Sequence, residues 1–417
     1  MQYTTMCLIA ITSLVGSIWC GESAFANTDA RIFKLDDVIE LALNRNPLLA
    51  AAEGAVEQSQ GQQVAAGAYL NPSITGSAGP GAIRDPSTGA RVTERTITVQ
   101  QPLEWLGKRR ARQHAADAKV AGALAGMEET KVLVRADVKA AFFQLLFAQQ
   151  DAHLARENLK TVEDLVKVVS ARVSTREAAR FELVKATVEL QKSKKDLARA
   201  DNALVVARAK LNTVTGKALG ESFAIQGEFE SVRTGLDLRV LTDQARDRHP
   251  ALRRQQRVVE QAEFTIEQER ASRVPNVAVF GTYHRETGDE SVTAGLSVPL
   301  PIWYRQQGEI GTAMGAHRQA QAERDRLQQE LEQTITQHFQ EMQTAQAQMQ
   351  VFEQGLSHQA QEALDIAQFS FRRGATSLLE VIDAQRVNRQ ILLEYAQARA
   401  DHSIALARLE RAVGGLP

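Results

Sequence analysis

Apolar residues recur at helical spacing from about Gln306 to Val413, first through Leu327, Leu331, Ile335, Phe339 and Met342, then through Leu378, Val381, Ile382, Leu392, Tyr395 and Leu406. Recurrence at three and four residues is the pattern of an amphipathic helix. One obvious break divides the run, the stretch Phe371 to Gln385 (FRRGATSLLEVIDAQ), where Gly374 can take the left-handed conformation that ends a helix. The ~65 residues before it predict a rod on the order of 100 Å long at about 1.5 Å per residue. That is far longer than an ordinary globular helix.

The same pattern occurs twice. Leu41 to Pro47 (LALNRNP) and Leu241 to Pro250 (LTDQARDRHP) both read as a short helix stopped by proline. Pro47 and Pro72 are 25 residues apart, as are Pro250 and Pro275, with a helical stretch between each pair. Thr96 to Leu103 matches Thr293 to Leu300, and Trp105 matches Trp303 at an offset of 198. At the same offset Phe181-Glu182-Leu183 matches Leu379-Glu380-Val381, and Ala186, Leu211 and Gly216 match Ala384, Leu409 and Gly414. A repeat of this length divides the chain into a first unit over 27–216, a polar crossing segment over 217–238 on the outside of the rod, and a second unit over 239–417. Each unit is expected to run helix, strand, loop, strand, very long helix, tip turn, helix.

Four stretches read as strands, about Ser73 to Ala78, Arg91 to Gln101, Asn276 to His284 and Ser291 to Val298. The loop Gly79 to Ala90, rich in Gly, Pro, Asp and Ser, makes the first hairpin the longer one. Two hairpins cannot close a barrel, and an open four-stranded sheet at the end of a rod would expose its edges. Oligomerisation would solve this, since three copies give 12 strands, an even number suited to an outer-membrane barrel. Trp105 and Trp303 stand where strand gives way to helix, which suits either a membrane interface or a packed strand–helix junction. The fold class is therefore mainly α with a small β part.

Composition fits this picture. With 49 Lys+Arg against 50 Asp+Glu the charges nearly cancel, so nothing points to nucleic acid. Cys7 to Val15 is a short apolar run followed by Ala24-Phe25-Ala26, a secretory signal peptide cleaved before Asn27, although Met1 to Met6 carries no Lys or Arg. Both cysteines, Cys7 and Cys20, fall in this segment, and Cys20 is an alternative lipid-modified N-terminus with bulky Trp19 before it. Beyond it no run of 18 apolar residues offers a membrane-spanning helix.

Catalytic and metal chemistry find little support. The eight histidines show no i, i+4 pairing, and no phosphate loop, nucleophile elbow or zincin helix is present. The expectation is no enzyme, no cofactor and no metal site. The acidic pair Glu380 and Asp383 is spaced to lie on one helix face just beyond the tip. It suits complementation of the helix dipole or, if three copies surround a pore, an acidic ring that attracts cations and holds a constriction. The matching positions of the first unit are Glu182 and Lys185, so the two tips differ electrically.

With these features the chain resembles the TolC family of trimeric outer-membrane efflux ducts over nearly all of its length beyond the signal segment. The resemblance rests on the duplicated proline-bounded helices, Arg373-Gly374-Ala375-Thr376-Ser377, Leu379-Glu380-Val381-Ile382-Asp383-Ala384-Gln385 and Ala405-Leu406-Ala407-Arg408-Leu409-Glu410. Gln101-Pro102-Leu103-Glu104-Trp105-Leu106-Gly107-Lys108-Arg109 is similar to the strand-to-helix junction of the CzcC-like branch, which serves cobalt, zinc, cadmium and nickel efflux. The resemblance implies a homotrimer with a 12-stranded outer-membrane barrel continued by a helical tunnel across the periplasm. It implies two partners, a periplasmic adaptor and a proton-driven RND-type inner-membrane pump. Arg373, Gly374, Ala375, Thr376 and Ser377 would form the adaptor-docking tip, and Glu380 and Asp383 the periplasmic constriction, where the family often has Asp in place of Glu380. The first tip, Ser174 to Ala179, lacks the glycine. The resulting expectation is a passive exit duct for divalent heavy-metal cations; the rivals are a duct for organic toxicants or drugs and a periplasmic coiled-coil structural or adaptor protein.

Overall fold

The structure, a computed structural model, describes residues 31–84, 86–233, 235–286 and 289–415. The expected signal peptide, with Cys7 and Cys20, lies outside the described residues. The elements are β1 (Arg31–Phe33), α1 (Leu35–Arg45), α2 (Pro47–Gly67), β2 (Ser73–Arg84), β3 (Arg91–Leu103), α3 (Leu106–Ser174) and α4 (Arg180–Val214). They are followed by β4 (Phe223–Ile225), α5 (Leu238–Arg248), α6 (Pro250–Ala271), β5 (Val277–Glu286), β6 (Asp289–Ser297), α7 (Gln307–Val351), α8 (Ser357–Arg372) and α9 (Leu378–Val413).

The 69-residue helix α3 is the axis, about 100 Å long at the ordinary helical rise. It joins the sheet at one end to a turn at the other. From that turn α4 runs back along it and stops where α1 and α2 meet, and α2 covers the rest of its length. In the second unit α9 returns along α8 and α7 to the junction of α5 and α6. The two prolines at these junctions stand at the first position of α2 and α6, where no helix bond is needed from the missing N–H, so each ends one helix and opens the next.

The junctions share one construction. Asn46 caps α2 by accepting from Leu48 N at 2.8 Å and donates through Nδ2 to Val214 O at 2.7 Å. His249 does both jobs in the second unit, with Nδ1 accepting from Ala251 N at 3.1 Å and Nε2 facing Arg411 O at 3.2 Å. Gly216 and Gly414 close the incoming helices at φ 67° and 86°. A Cβ on Gly216 would lie 2.6 Å from Arg45 O, so the close approach as well as the backbone conformation requires glycine.

The apolar core gathers around these junctions. Val38, Val138, Phe142, Leu145 and Leu211 form the first cluster, and Leu241, Ile335, Phe339, Leu406 and Leu409 the second. The crossing segment is less polar in effect than its composition suggests: Leu219, Phe223, Ile225 and Phe229 are buried in the first cluster. Its strand β4 pairs in parallel with β1, a two-stranded element absent from the expectation above.

Two further differences concern the hairpin and the rod. Strand β2 runs on to Arg84, through the first half of the expected loop, with its register shifting between Pro80 and Arg84. Proline is tolerated there because β2 is an edge strand of this chain. The second rod has a break beyond the one at Gly374: Phe352–Leu356 is a π-helical turn with Gly355 at φ 129° between α7 and α8. Tyr395 faces that turn, with its hydroxyl donating to Glu353 at 3.2 Å and its ring against Phe352.

The His249 cap generates a prediction. Burial holds its imidazole below the usual 6.5, and the neutral ring is the form that can accept from Ala251. His249→Asn should keep the junction, as Asn46 does, whereas His249→Ala should cost about 1–2 kcal/mol. Because the unfolded chain takes up this proton first, the wild-type junction should weaken as pH falls below the ordinary histidine value. Hydrogen exchange of the first turn of α6 measures both effects; equal exchange in the Asn and Ala variants would remove the capping role.

Candidate functional site

The sheet order is β2-β3-β5-β6, leaving β2 and β6 as free edges. Register sorts most of its side chains, with Arg95, Gln101 and Arg285 as polar exceptions on the apolar face. On one face Ile74 is opposite Val99, Ile97 is opposite Tyr283, Leu103 is opposite Val277, and Val279 and Tyr283 are opposite Leu296 and Val292. On the other stand Thr75, Thr96, Thr98, Thr282, His284 and Thr293, with Phe280 as the large apolar exception. Thr98 and Thr282 are bonded at 3.0 Å, and Thr96 meets His284 at 3.1 Å. Val292 and Leu296 are 79 % and 69 % exposed, so the apolar face is uncovered in a single chain. An outward apolar face and an inward polar one is the pattern of a membrane barrel wall. Strands of 13 and 9 residues in β3 and β6 are of spanning length. Among the described residues no helix is long and apolar enough to cross a membrane.

Trp105 is the residue before α3, and Trp303 lies between β6 and α7. Both are exposed in the single chain, Trp105 at 57 % and Trp303 at 93 %. Leu300, Ile302 and Tyr304 extend the exposed apolar surface around Trp303.

The two tip turns lie together at the opposite end. Val169, Ala186, Phe371, Leu378, Val381 and Ile382 form one apolar cluster shared by both units. Arg172 of α3 donates to Phe371 O at 2.9 Å and Arg372 O at 3.1 Å, and its guanidinium lies over the Phe371 ring. It thereby supplies donors to carbonyls at the end of α8 that the helix leaves open. Arg373, Gly374, Ala375 and Ser377 are exposed and Thr376 is half-buried. Gly374 has φ 76°, and Ala375 N donates to Ser370 O at 2.9 Å. Arg176 holds the matching position of the first tip at φ 63°, with Glu177 N donating to Arg172 O at 2.8 Å. The two turns therefore share a backbone although the first lacks the glycine, with arginine in a conformation costly for a residue bearing Cβ. The first tip also lacks a cap: Ser377 accepts from Glu380 N at 3.4 Å, whereas Ala179 in its place has no side chain to do so.

Glu380 lies in the first turn of α9 and Asp383 one turn on, both exposed on the surface of the single chain. The reading of sequence missed the polar seam next to them. Arg386 makes a two-pronged bond to Glu189, Arg389 donates to Asp196 at 2.8 Å, and Gln385 donates to Asn158 at 3.0 Å. These contacts tie α9 to the α3–α4 hairpin. Their signal was present as Arg386 and Arg389 at i, i+3 facing Glu189 and Asp196 at i, i+7, but which helices meet is a tertiary fact. Among the described residues no group of three or more His, Cys, Asp or Glu could hold a metal ion.

Comparison with known proteins agrees with this geometry. The family profile described as outer membrane efflux protein matches residues 38–217 and 241–415. The cobalt-zinc-cadmium resistance protein CzcC of Cupriavidus metallidurans is 25 % identical over 384 residues, covering 91 % of this chain and 90 % of that protein. The pyoverdine export outer membrane protein OpmQ of Pseudomonas aeruginosa is 22 % identical over 413 residues, covering 91 % and 84 %. Among solved structures CusC, described through conformational changes accompanying folding and transmembrane channel formation, superposes with a TM-score of 0.77 at 18 % identity over 92 % of each chain. The fold is thus that of outer-membrane channels, and a periplasmic coiled-coil adaptor no longer describes the chain. Matched over both of its units, the chain belongs to the outer membrane efflux protein family, channels of the outer membrane whose helices extend into the periplasm.

Proposed function

We propose that three copies of this chain form the exit duct of a tripartite efflux system whose cargo is divalent heavy-metal cations such as cobalt, zinc, cadmium or nickel. The observation that carries the cargo is the similarity to CzcC over nine-tenths of both chains. The trimer is supported by the sheet, because three copies would pair each free β6 with the next β2 and close 12 strands around the polar face. Trp105 and Trp303 then sit at the membrane–water interface as anchors. The tip Arg373, Gly374, Ala375, Thr376 and Ser377 docks a periplasmic adaptor, which links the duct to an RND-type proton-driven pump. Arg172 supports this reading by joining both turns into one surface.

Glu380 and Asp383 form an acidic ring at the constriction when three copies meet. The ring attracts cations and narrows the path without chelating them, and selectivity stays with the pump. The polar seam Arg386–Glu189 and Arg389–Asp196 keeps α9 beside the outer hairpin and sets how far the ring can open. A duct for organic molecules is the second reading, favoured by the similarity to the pyoverdine exporter.

Two measurements follow. Cells lacking the protein should retain severalfold more of at least one of Zn²⁺, Cd²⁺, Co²⁺ and Ni²⁺ than wild type, whereas unchanged metal content with greater retention of a dye or siderophore selects the second reading. In planar bilayers, Glu380→Gln with Asp383→Asn should raise single-channel conductance and weaken cation preference. Unchanged values for both would leave the pair with a helix-terminal role alone.

A further inference from the structure

The paired tips carry more positive charge than they can neutralise. Arg172, Arg176, Arg180, Arg372 and Arg373 stand in or beside the two turns, where the carboxylates are Glu177, Glu182 and Glu380. One helical turn further on, Lys185 and Asp383 offset each other. None of these arginines is in an ion pair among the described residues. Arg172 is engaged by the carbonyls of Phe371 and Arg372, Arg372 reaches only Gln368 O of its own helix at 3.4 Å, and Arg373 lies over the Phe369 ring at 4.6 Å. Arg176 and Arg180 are exposed, and their side chains have no partner among the described residues.

Two of them also stand against local preference. Arg176 holds φ 63° where the matching residue of the second turn is Gly374, the residue type that takes this conformation without strain. Arg180 is the first residue of α4, at the positive pole of the helix dipole, where a carboxylate would be favoured. Neither side chain gains a contact within the chain in return. Side chains that oppose their own backbone and have no internal partner point to a contact outside the chain.

Assembly of this chain with itself does not remove the excess. Identical copies bring identical charges, so tips gathered together multiply an unbalanced charge, even where a glutamate of one copy pairs with an arginine of the next. The lipid of the outer membrane is out of reach as well, because the tips stand at the opposite end of α3 from the sheet. What relieves the charge is an acidic partner that meets the end of the rod.

We propose that the periplasmic adaptor presents an acidic turn to this crown, its carboxylates pairing with Arg176, Arg180, Arg372 and Arg373. The proposal rests on the outer-membrane duct reading and deepens it by giving the adaptor's contact surface its charge. Guanidinium groups with free terminal nitrogens bind carboxylates through two parallel bonds, which fix orientation as well as attract. Both units contribute arginines, so one adaptor turn seated across the crown reads the pair of turns that Arg172 holds together. Because the arginines are exposed, they steer and orient docking more than they bury it.

The test places a photo-crosslinking amino acid at the exposed Ala375 of the full chain in cells and identifies the captured peptide by mass spectrometry. The expected peptide comes from a periplasmic protein and has Asp or Glu within a few residues of the crosslink. At equal amounts of chain in the outer membrane, Arg176→Gly with Arg373→Gln should lower the yield about five-fold, since glycine suits the left-handed position and only the charge is lost. Arg176→Lys with Arg373→Lys should keep most of it. A captured peptide without acidic residues, capture of a neighbouring copy of this chain alone, capture of lipid in place of protein, no capture, or equal yields from the two double variants would each overturn the proposal. Failure of the duct reading shows separately, as chain absent from the outer-membrane fraction of the same cells.

Discussion

The arrangement depends on a sheet that one chain cannot finish. Strands β2 and β6 each leave a row of backbone donors and acceptors open, and Ile74, Ile97, Val99, Val292 and Leu296 leave one face apolar and uncovered. In water both features favour aggregation. In lipid the apolar face is at home, but every backbone group must be paired, so only closure satisfies both demands. Closure fixes the rest. The long helices must leave the rim side by side as a continuing wall, and the tips of all copies must arrive together at the far end.

That wall is made by using one unit twice and then differentiating it. Asn46 and His249 are different side chains in one role, and Arg176 follows Gly374 into a left-handed turn against its own preference. The differences are concentrated where the halves would do different work. Only the second rod has the π-helical turn at Gly355, only the second tip has both the glycine and the serine cap, and only it is followed by the acidic pair. The Arg386 and Arg389 pairs bind this half to the plainer first hairpin. Partly buried ion pairs of this kind add little net stability, yet breaking one partner is costly, which suits a contact that selects an arrangement.

Much of this was legible in the residues. The paired prolines and the offset of 198 revealed the duplication because equivalent junctions need equivalent breaks. Strand positions were legible from turn residues more than from alternation. What escaped was non-local. Three-residue strands β1 and β4 carry no periodic signal, and they exist because Phe223 and Ile225 are buried against residues far away in sequence. Gly355 sits in a polar stretch whose helical pattern continues on both sides, so the extra residue of a π-turn leaves no trace there. Glu380 and Asp383 could be placed on one helix face beyond the tip from spacing alone. Their proposed ring is a property of three chains.

The most direct test of the central claim is the symmetry of the purified protein in a lipid nanodisc, read by cryo-electron microscopy. The account predicts a threefold particle in which β6 of each copy pairs with β2 of the next, closing 12 strands within the lipid disc and bringing three pairs of tips together at the far end. A monomer with both sheet edges open, or an assembly in which these edges do not meet, would contradict it.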